Sequence, residues 1–366
     1  MFAHDRESMG RYQKTNKRNL LFFFLLRFSE LLITQSDFQK QYLPKMYQSK
    51  IRVIKSGYEI NKINKKKKKY VLWVGRLEPW KEPEKFIELA KNFPQMEFVM
   101  VAPTLEGYEE YGKVVQKETE YIQNLTYIPF VKFNEIDYYF NEAKLFINTS
   151  KEEGFPNTFI QSCKNKTPII SLNVNPDNFL ETYNCGYFCY NDFNLMQKYV
   201  KELIEDNSLF ESKSESAYKY AIDVHDIKNN VKKLVDYVNY RQIIIIFPKD
   251  SEALFNKESK RTFGGANIQM YFIAKELGEK DNVNTFSFIP NYNTIKFNDE
   301  DKFHLIKTFN EKDNILKKVW TFHKKIIEVK PDIVVQRGLT LISCFLALYC
   351  RIINIKFVFM FAHDIE

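Results

Sequence analysis

Short runs of β-branched and aromatic residues return again and again along this chain, with helical patterns between them. The runs are Leu31–Gln35, Ile51–Lys55, Val71–Gly75, Glu97–Val101, Thr126–Pro129, Leu145–Thr149, Thr167–Leu172 and Gly186–Tyr190. They resume at Ile243–Phe247, Thr285–Ile289, Phe303–Lys307, Ile333–Gln336 and Lys356–Phe361. Several are apolar at every position, which a strand tolerates only when helices cover both faces of its sheet. Helical patterns such as Glu82–Lys91, Asn134–Glu142, Asn157–Asn165, Gly265–Leu277 and Asn314–Val329 lie between them. Strand, helix, strand in this order predicts an α/β protein with parallel sheets. Thirteen strands exceed one comfortable sheet, so 366 residues divide into two Rossmann-like domains.

The ends of the chain repeat each other. Met1-Phe2-Ala3-His4-Asp5-Arg6-Glu7 matches Met360-Phe361-Ala362-His363-Asp364-Ile365-Glu366 at six of seven positions. Residues 1–59 are therefore expected to complete the domain that begins with residues 241–366. The chain reads either as a circular permutation or as the back of one tandem copy joined to the front of the next. The polar, lysine-rich stretch Asn61–Lys69 is predicted as a linker, 60–205 as a second domain, and 206–240 as a helical segment returning between domains.

Charge is uneven. Residues 1–69 carry 17 Lys/Arg against 5 Asp/Glu, including the run Lys65–Lys69 and the cations Arg11, Lys14, Lys17 and Arg18 ahead of the apolar run Leu20–Leu26. A solvated linker plus an ordinary amphipathic helix accounts for this, and peripheral contact with an anionic membrane face is the sharper alternative. Nucleic acid is not expected as a partner, because no binding motif accompanies the charge. Five Cys without CxxC spacing argue for a reducing compartment, and the opening residues lack a basic-then-apolar leader, so a cytoplasmic protein is expected. No apolar run reaches the roughly 20 residues that a spanning helix needs.

The chemistry concentrates in residues 71–172. Val71-Leu72-Trp73-Val74-Gly75-Arg76-Leu77-Glu78-Pro79-Trp80-Lys81 is a strand that ends in a glycine followed by two cations. Ser150-Lys151-Glu152-Glu153-Gly154-Phe155-Pro156-Asn157-Thr158 is a loop that enters a helix carrying Gln161. Arg76 supplies a planar fork suited to phosphate and Lys81 a point charge. The first N–H groups of the helix, from Asn157 and Thr158 just after Pro156, add unsatisfied donors at a positive dipole end. Such an arrangement suits a diphosphate and the charge that grows on it as it departs.

On these motifs the sequence resembles the large family 4 of retaining glycosyltransferases with the GT-B fold. Val74-Gly75-Arg76-Leu77 followed by Lys81 resembles that family's diphosphate-binding strand end. Glu153-Gly154-Phe155 with Gln161 resembles its paired-acid motif, Gln standing where the second Glu would be, and Pro168-Ile169-Ile170 fits the strand that follows. The resemblance implies transfer of a sugar from a nucleotide-sugar donor to a glycan or lipid-linked acceptor, with neither cofactor nor metal. It implies that Arg76 and Lys81 hold the leaving phosphate, Glu153 the sugar and Gln161 the ribose. It also implies that Gly264 and Gly265, opening a helix after Ile243–Phe247, approach the donor, and that His363, after Lys356–Phe361, lies near the transferred sugar. A bare amide at Gln161 hydrogen-bonds but brings no charge. His225 and His323 stand apart in polar helical sequence and are expected on the surface. Gln336-Arg337-Gly338 ends a strand and is a weaker candidate for the acceptor side.

Overall fold

The computed structural model describes residues 17–61, 67–238, 242–248, 251–255, 264–280, 283–291, 304–310, 312–338 and 340–361. Two compact units divide the chain. One is formed by both ends, residues 1–59 with 226–366, and the other by residues 60–225. All thirteen expected strands are present.

In the first unit the strands are β1 (Leu31–Thr34), β2 (Ile51–Val53), β9 (Gln242–Ile246), β10 (Asn284–Ile289), β11 (His304–Lys307), β12 (Ile333–Arg337) and β13 (Lys356–Met360). They form one parallel sheet in the order β11-β10-β9-β12-β13-β1-β2. Numbered from β9 and carried from β13 on to β1, that order is 3-2-1-4-5-6-7, the winding of a Rossmann sheet with one further strand. The chain ends thus supply neighbouring strands, with Leu32 opposite Phe359.

In the second unit, β3 (Tyr70–Val74), β4 (Glu97–Val101), β5 (Leu125–Ile128), β6 (Ala143–Asn148), β7 (Ile169–Ser171) and β8 (Gly186–Phe188) form a parallel sheet in the order β5-β4-β3-β6-β7-β8. This is 3-2-1-4-5-6. Each sheet therefore reverses its order once, between β9 and β12 in one and between β3 and β6 in the other. A crevice at the carboxyl ends of such a strand pair is where α/β sheets hold ligands.

Alternation along the strands explains why their sequences are apolar throughout. In the second unit Val71, Trp73, Met100, Leu145 and Ile147 face one buried cluster. Leu72, Val99, Val101 and Phe146 face another, on the opposite side of the sheet. In the first unit Ile244, Ile246, Val334 and Phe359 pack against Phe22, Leu25, Leu26, Phe322 and Leu346. The apolar run Leu20–Leu26 is thus spent mainly on core packing inside the helix Lys17–Phe28, leaving Leu20 and Phe23 exposed.

The segment 206–240 is divided between the units. Helix Asn207–His225 lies with the second unit, where Ser214 Oγ donates to the Lys166 carbonyl at 2.6 Å. Helix Ile227–Val238 lies with the first, where Asn230 Nδ2 donates to the Lys55 carbonyl at 3.1 Å. The helical pattern runs through Asp226 without interruption, so the sequence does not mark the break.

The lysine run is not wholly a solvated linker. Residues 62–66 lie outside the described residues, but Lys68 Nζ donates to the Asn165 carbonyl and to Thr167 Oγ1, both at 2.9 Å. Burial, with Lys166 nearby and Glu211 only partly offsetting, pushes its ammonium down to about 7. A lowered folded pKa means that the unfolded chain binds more protons between pH 7 and 10.5, so stability rises with pH across that window. This one group contributes up to about 1.4 kcal/mol per pH unit. Lys68→Met is expected to remove that slope, read as the difference between the two proteins' urea midpoints at pH 7.5 and pH 9.5.

Candidate functional site

The site is built where β3 and β6 end side by side. After β3 the chain reaches Gly75, whose N–H donates to the Val101 carbonyl at 3.1 Å. A Cβ there would come within 2.8 Å of the Trp73 ring, so the close turn past that indole requires glycine. Arg76 follows, partly exposed, with its Nε 3.2 Å from Glu78 Oε2.

The turn Pro79–Lys81 is fastened to the loop after β6. Lys151 N–H donates to the Trp80 carbonyl at 2.9 Å and Thr149 Oγ1 to the Lys81 carbonyl at 2.6 Å. Trp73 Nε1 in turn donates to Thr149 Oγ1 at 3.0 Å. Two chain segments roughly seventy residues apart are thereby held in one geometry before any ligand arrives, which is what electrostatic preorganisation requires.

Lys81 and Glu153 meet at the centre of this arrangement, with Nζ 2.7 Å from Oε2 and both side chains mostly buried. The other carboxylate oxygen of Glu153 accepts from Ser150 Oγ at 2.6 Å and from Asn148 Nδ2 at 3.0 Å. Burial by itself would raise the Glu153 carboxyl, but Lys81, Ser150 and Asn148 together hold it below the usual carboxylate value. Burial lowers the Lys81 ammonium against the pull of Glu153, and Arg76 adds to the lowering. An ionised, fixed carboxylate thus steers a desolvated ammonium. The ammonium has three donor positions, so the pair leaves room for a further acceptor.

Gly154 and Phe155 lead into the helix Asn157–Lys164, with Pro156 at its N-cap. Proline has no side-chain oxygen to cap the first N–H groups, and no side-chain cap is made. Asn157 and Thr158 form the first turn, next in sequence to the loop that bears Glu153. The partly buried Phe155 ring packs 5.2 Å from that of Phe179 and 4.8 Å from that of His225, anchoring the loop. Gln161, one turn further along, is buried, and Asn165 Nδ2 donates to its carbonyl at 2.9 Å.

Sequence reasoning thus places Arg76, Lys81, Glu153, Gly154, Pro156, Asn157 and Thr158 in or beside one strand-end site, and the structure brings Lys81 onto Glu153. It missed Asn148, Thr149 and Ser150. Their signal was a polar triplet immediately after the all-apolar Leu145–Ile147, where a core strand turns into a ligand-facing loop.

Gly264 and Gly265 belong to the first unit, where Gly264 is the N-cap of the helix Gly265–Gly278. Gly264 has φ −83°, so a turn angle closed to other residues is not what requires glycine here. His363 and His4 lie outside the described residues. The surface expectation fails for His225, which is buried with Nε2 3.1 Å from Tyr220 Oη. It also fails in part for His323, half-buried with Nδ1 2.6 Å from Tyr349 Oη. Gln336 and Arg337 are buried at the end of β12 rather than presented on an open surface. Among the described residues no group of three His, Cys, Asp or Glu side chains is gathered that could hold a metal ion.

Residues 58–223 match the model of the family Glycosyl transferases group 1. The match takes in nearly all of the second unit. No curated protein matches the chain. Among solved structures, the chain is similar to HepE of Anabaena in complex with UDP, at 16% identity and TM-score 0.52, over 61% of this chain and 68% of that one. It is similar to TarM of S. aureus, solved with fondaparinux, alpha-GlcNAc-glycerol and UDP, at 16% identity and TM-score 0.52, over 64% of this chain and 48% of that one. Sucrose-phosphate synthase of Thermosynechococcus elongatus matches at 14% identity and TM-score 0.51, over 64% and 66%. The fold class is that of these GT-B glycosyltransferases, two Rossmann-like parallel sheets in one chain.

Proposed function

We propose that the chain transfers a sugar from a nucleotide-sugar donor to an acceptor hydroxyl, with retention at the anomeric carbon and without a metal ion. The observation that carries this reading is the buried Lys81–Glu153 pair beside the uncapped start of the helix Asn157–Lys164. Lys81, Arg76 and the N–H groups of that helix neutralise the donor's diphosphate. Glu153 fixes Lys81 and lies toward the sugar, and Gln161 lies toward the ribose.

In this reaction the bond between the anomeric carbon and the phosphate oxygen breaks while the acceptor oxygen bonds to the same face. The acceptor's proton passes to the departing phosphate, so no side chain is needed as base. Fixed cations stabilise the charge that grows on the nucleotide and cost no reorganisation as it forms. UDP in two of the similar structures, and a sugar-glycerol in one of them, support a nucleotide donor and a glycan acceptor, free or lipid-linked. We assign the product to surface-glycan biosynthesis.

The repeated heptapeptide at the two chain ends favours a second reading, a nucleotide-binding piece of a tandem enzyme without turnover. One experiment addresses both. The purified protein is screened by thermal unfolding against UDP-, GDP- and ADP-sugars, and diphosphate release is then followed with glycan acceptors in the presence of EDTA. A matching donor at a hundred times its Kd is expected to stabilise the fold by about 2.7 kcal/mol. EDTA-resistant release with an α-linked product from an α-linked donor is also expected. A shift without release favours the tandem piece, and no shift with any donor overturns both readings.

A further inference from the structure

Lys81 is the last residue of the short turn Pro79–Lys81, and Glu82 directly after it stands in the left-handed region, at φ 48° and ψ 54°. That region is uncommon for a residue with a Cβ and persists only where neighbouring contacts enforce it. Pro83 follows, and a proline ring narrows the angles open to the residue before it. Glu82 is the N-cap of the helix Pro83–Asn92, but its carboxylate makes no capping hydrogen bond that would offset the strain. It pairs instead with Lys85 Nζ at 3.0 Å and with Lys151 Nζ at 3.6 Å.

The contact that bears on this strained peptide comes from Thr149. Thr149 is buried, and its hydroxyl accepts from Trp73 Nε1 at 3.0 Å and donates to the Lys81 carbonyl at 2.6 Å. An indole N–H only donates and a carbonyl only accepts. A hydroxyl has a single proton, so the Trp73 contact turns the Thr149 oxygen's lone pair to the indole and leaves its proton for Lys81. Trp73 is itself fixed, buried beside Phe86 with its ring against Gly75.

A line of hydrogen bonds thus runs from a core indole, through one hydroxyl, to the backbone of the residue whose ammonium lies 2.7 Å from Glu153. The same ammonium stands 4.1 Å from the centre of the Trp80 ring. Its place is therefore set by the backbone of residues 80 and 81 together. Lys151 N–H holds the Trp80 carbonyl at 2.9 Å, and Thr149 holds the next one.

We propose that Thr149 is a positioning residue of the donor site: its hydroxyl holds the Lys81 carbonyl, keeps Glu82 left-handed, and so delivers the Lys81 ammonium to Glu153 and to the donor's diphosphate. Only the last clause rests on the donor reading, since the delivery of Lys81 to Glu153 belongs to the protein without ligand. Thr149 touches neither donor nor acceptor in this role and acts through Lys81.

Thr149→Val keeps the outline of the side chain and removes both hydrogen bonds, and Thr149→Ser keeps both. Glu82→Gly gives the left-handed angle to a residue that adopts it without help. Each full-length protein is treated with acetic anhydride, and acetylation of Lys81 is followed by peptide mass spectrometry with the exposed Lys113 as internal reference. Turnover is then measured well below the unfolding transition, with the nucleotide sugar that stabilises the wild type. In Thr149→Val, Lys81 is expected to acetylate about tenfold faster and kcat/KM to fall about ten- to a hundredfold, the loss that a misplacement of about 1 Å brings. Thr149→Ser is expected to match the wild type in both measurements. Adding Glu82→Gly to Thr149→Val is expected to restore most of the protection and most of the activity. A Thr149→Val protein with a lower urea midpoint but unchanged Lys81 protection and kcat/KM overturns the proposal, since Thr149 then only supports the fold. A Thr149→Ser protein as impaired as Thr149→Val overturns it too, as does a double variant that recovers nothing. If no nucleotide sugar binds the wild type, the donor reading falls, and the acetylation of Lys81 decides the positioning role by itself.

Discussion

Lys81→Ala is expected to lower kcat/KM by about a hundred- to a thousandfold, the range seen when one preorganised charge-stabilising donor is removed from an active site. Lys81 is fixed at both ends, its ammonium by the 2.7 Å contact with Glu153 and its backbone carbonyl by the hydrogen bond from Thr149. The loss has a second component. With Lys81 gone, the buried Glu153 carboxylate keeps only Ser150 and Asn148 as partners, and burial then raises its pKa. An ionised Glu153 then stands without its countercharge, beside the proposed diphosphate position. Residual donor affinity in the variant is therefore expected to improve as pH falls through the raised Glu153 pKa, because protonation removes the opposing charge. Breaking the buried pair also costs about 3 kcal/mol of stability. The double variant Lys81→Met with Glu153→Gln separates the two effects: it is expected to recover most of that stability in urea titrations while donor affinity stays low. If either variant binds donor as the wild type does, the diphosphate is held elsewhere.

The same pair marks the limit of what the chain reveals before folding. Short apolar runs locate the strands, because burial on both faces leaves a continuous apolar trace in the residues themselves. Gly75, Arg76, Lys81 and the Glu153 loop are legible because a polar segment directly after an all-apolar strand lies at a strand's carboxyl end. Their contact is not legible. It depends on β3 and β6 lying side by side, and no spacing of Lys81 against Glu153 encodes that neighbourhood. The neighbours of Phe155 are hidden for a related reason: Phe179 and His225 arrive from distant helices to pack against its ring. Asp226 also hides its role, since a helical pattern passes through the residue at which one unit ends and the next begins. Lys68 looks like any other member of a lysine run until the carbonyl of Asn165 is placed beside it. Local patterns specify elements; the partners of a polar side chain follow from topology.

Gly186→Ala tests that topology at its tightest point. β8 pairs in parallel with β7, with Gly186 opposite Ile169. A Cβ on Gly186 would lie 1.8 Å from the Ile169 carbonyl oxygen and 2.8 Å from the Ile169 nitrogen, backbone atoms of the neighbouring strand that no rotamer change can move aside. The Gly186 carbonyl is also fixed from the other side, accepting from the buried Lys213 Nζ at 3.1 Å. The variant is expected to lose at least about 4 kcal/mol, by detaching β8 or by failing to fold. Gly107→Ala is the matching control. Gly107 has φ +89° with open space around its missing Cβ, so alanine meets an unfavourable angle and no clash, and a loss of about 1 kcal/mol is expected. Urea unfolding ranks the two, and hydrogen exchange at residues 186–188 tells detachment of the strand from global unfolding. Detachment would reach the donor site, because Ile169, Phe179 and Tyr220 share one cluster with Phe159, which lies in the first turns of the helix that begins at Asn157. A Gly186→Ala protein that is as stable as the wild type would mean that β7 and β8 are not in this register, and the anchoring of that helix would need another explanation.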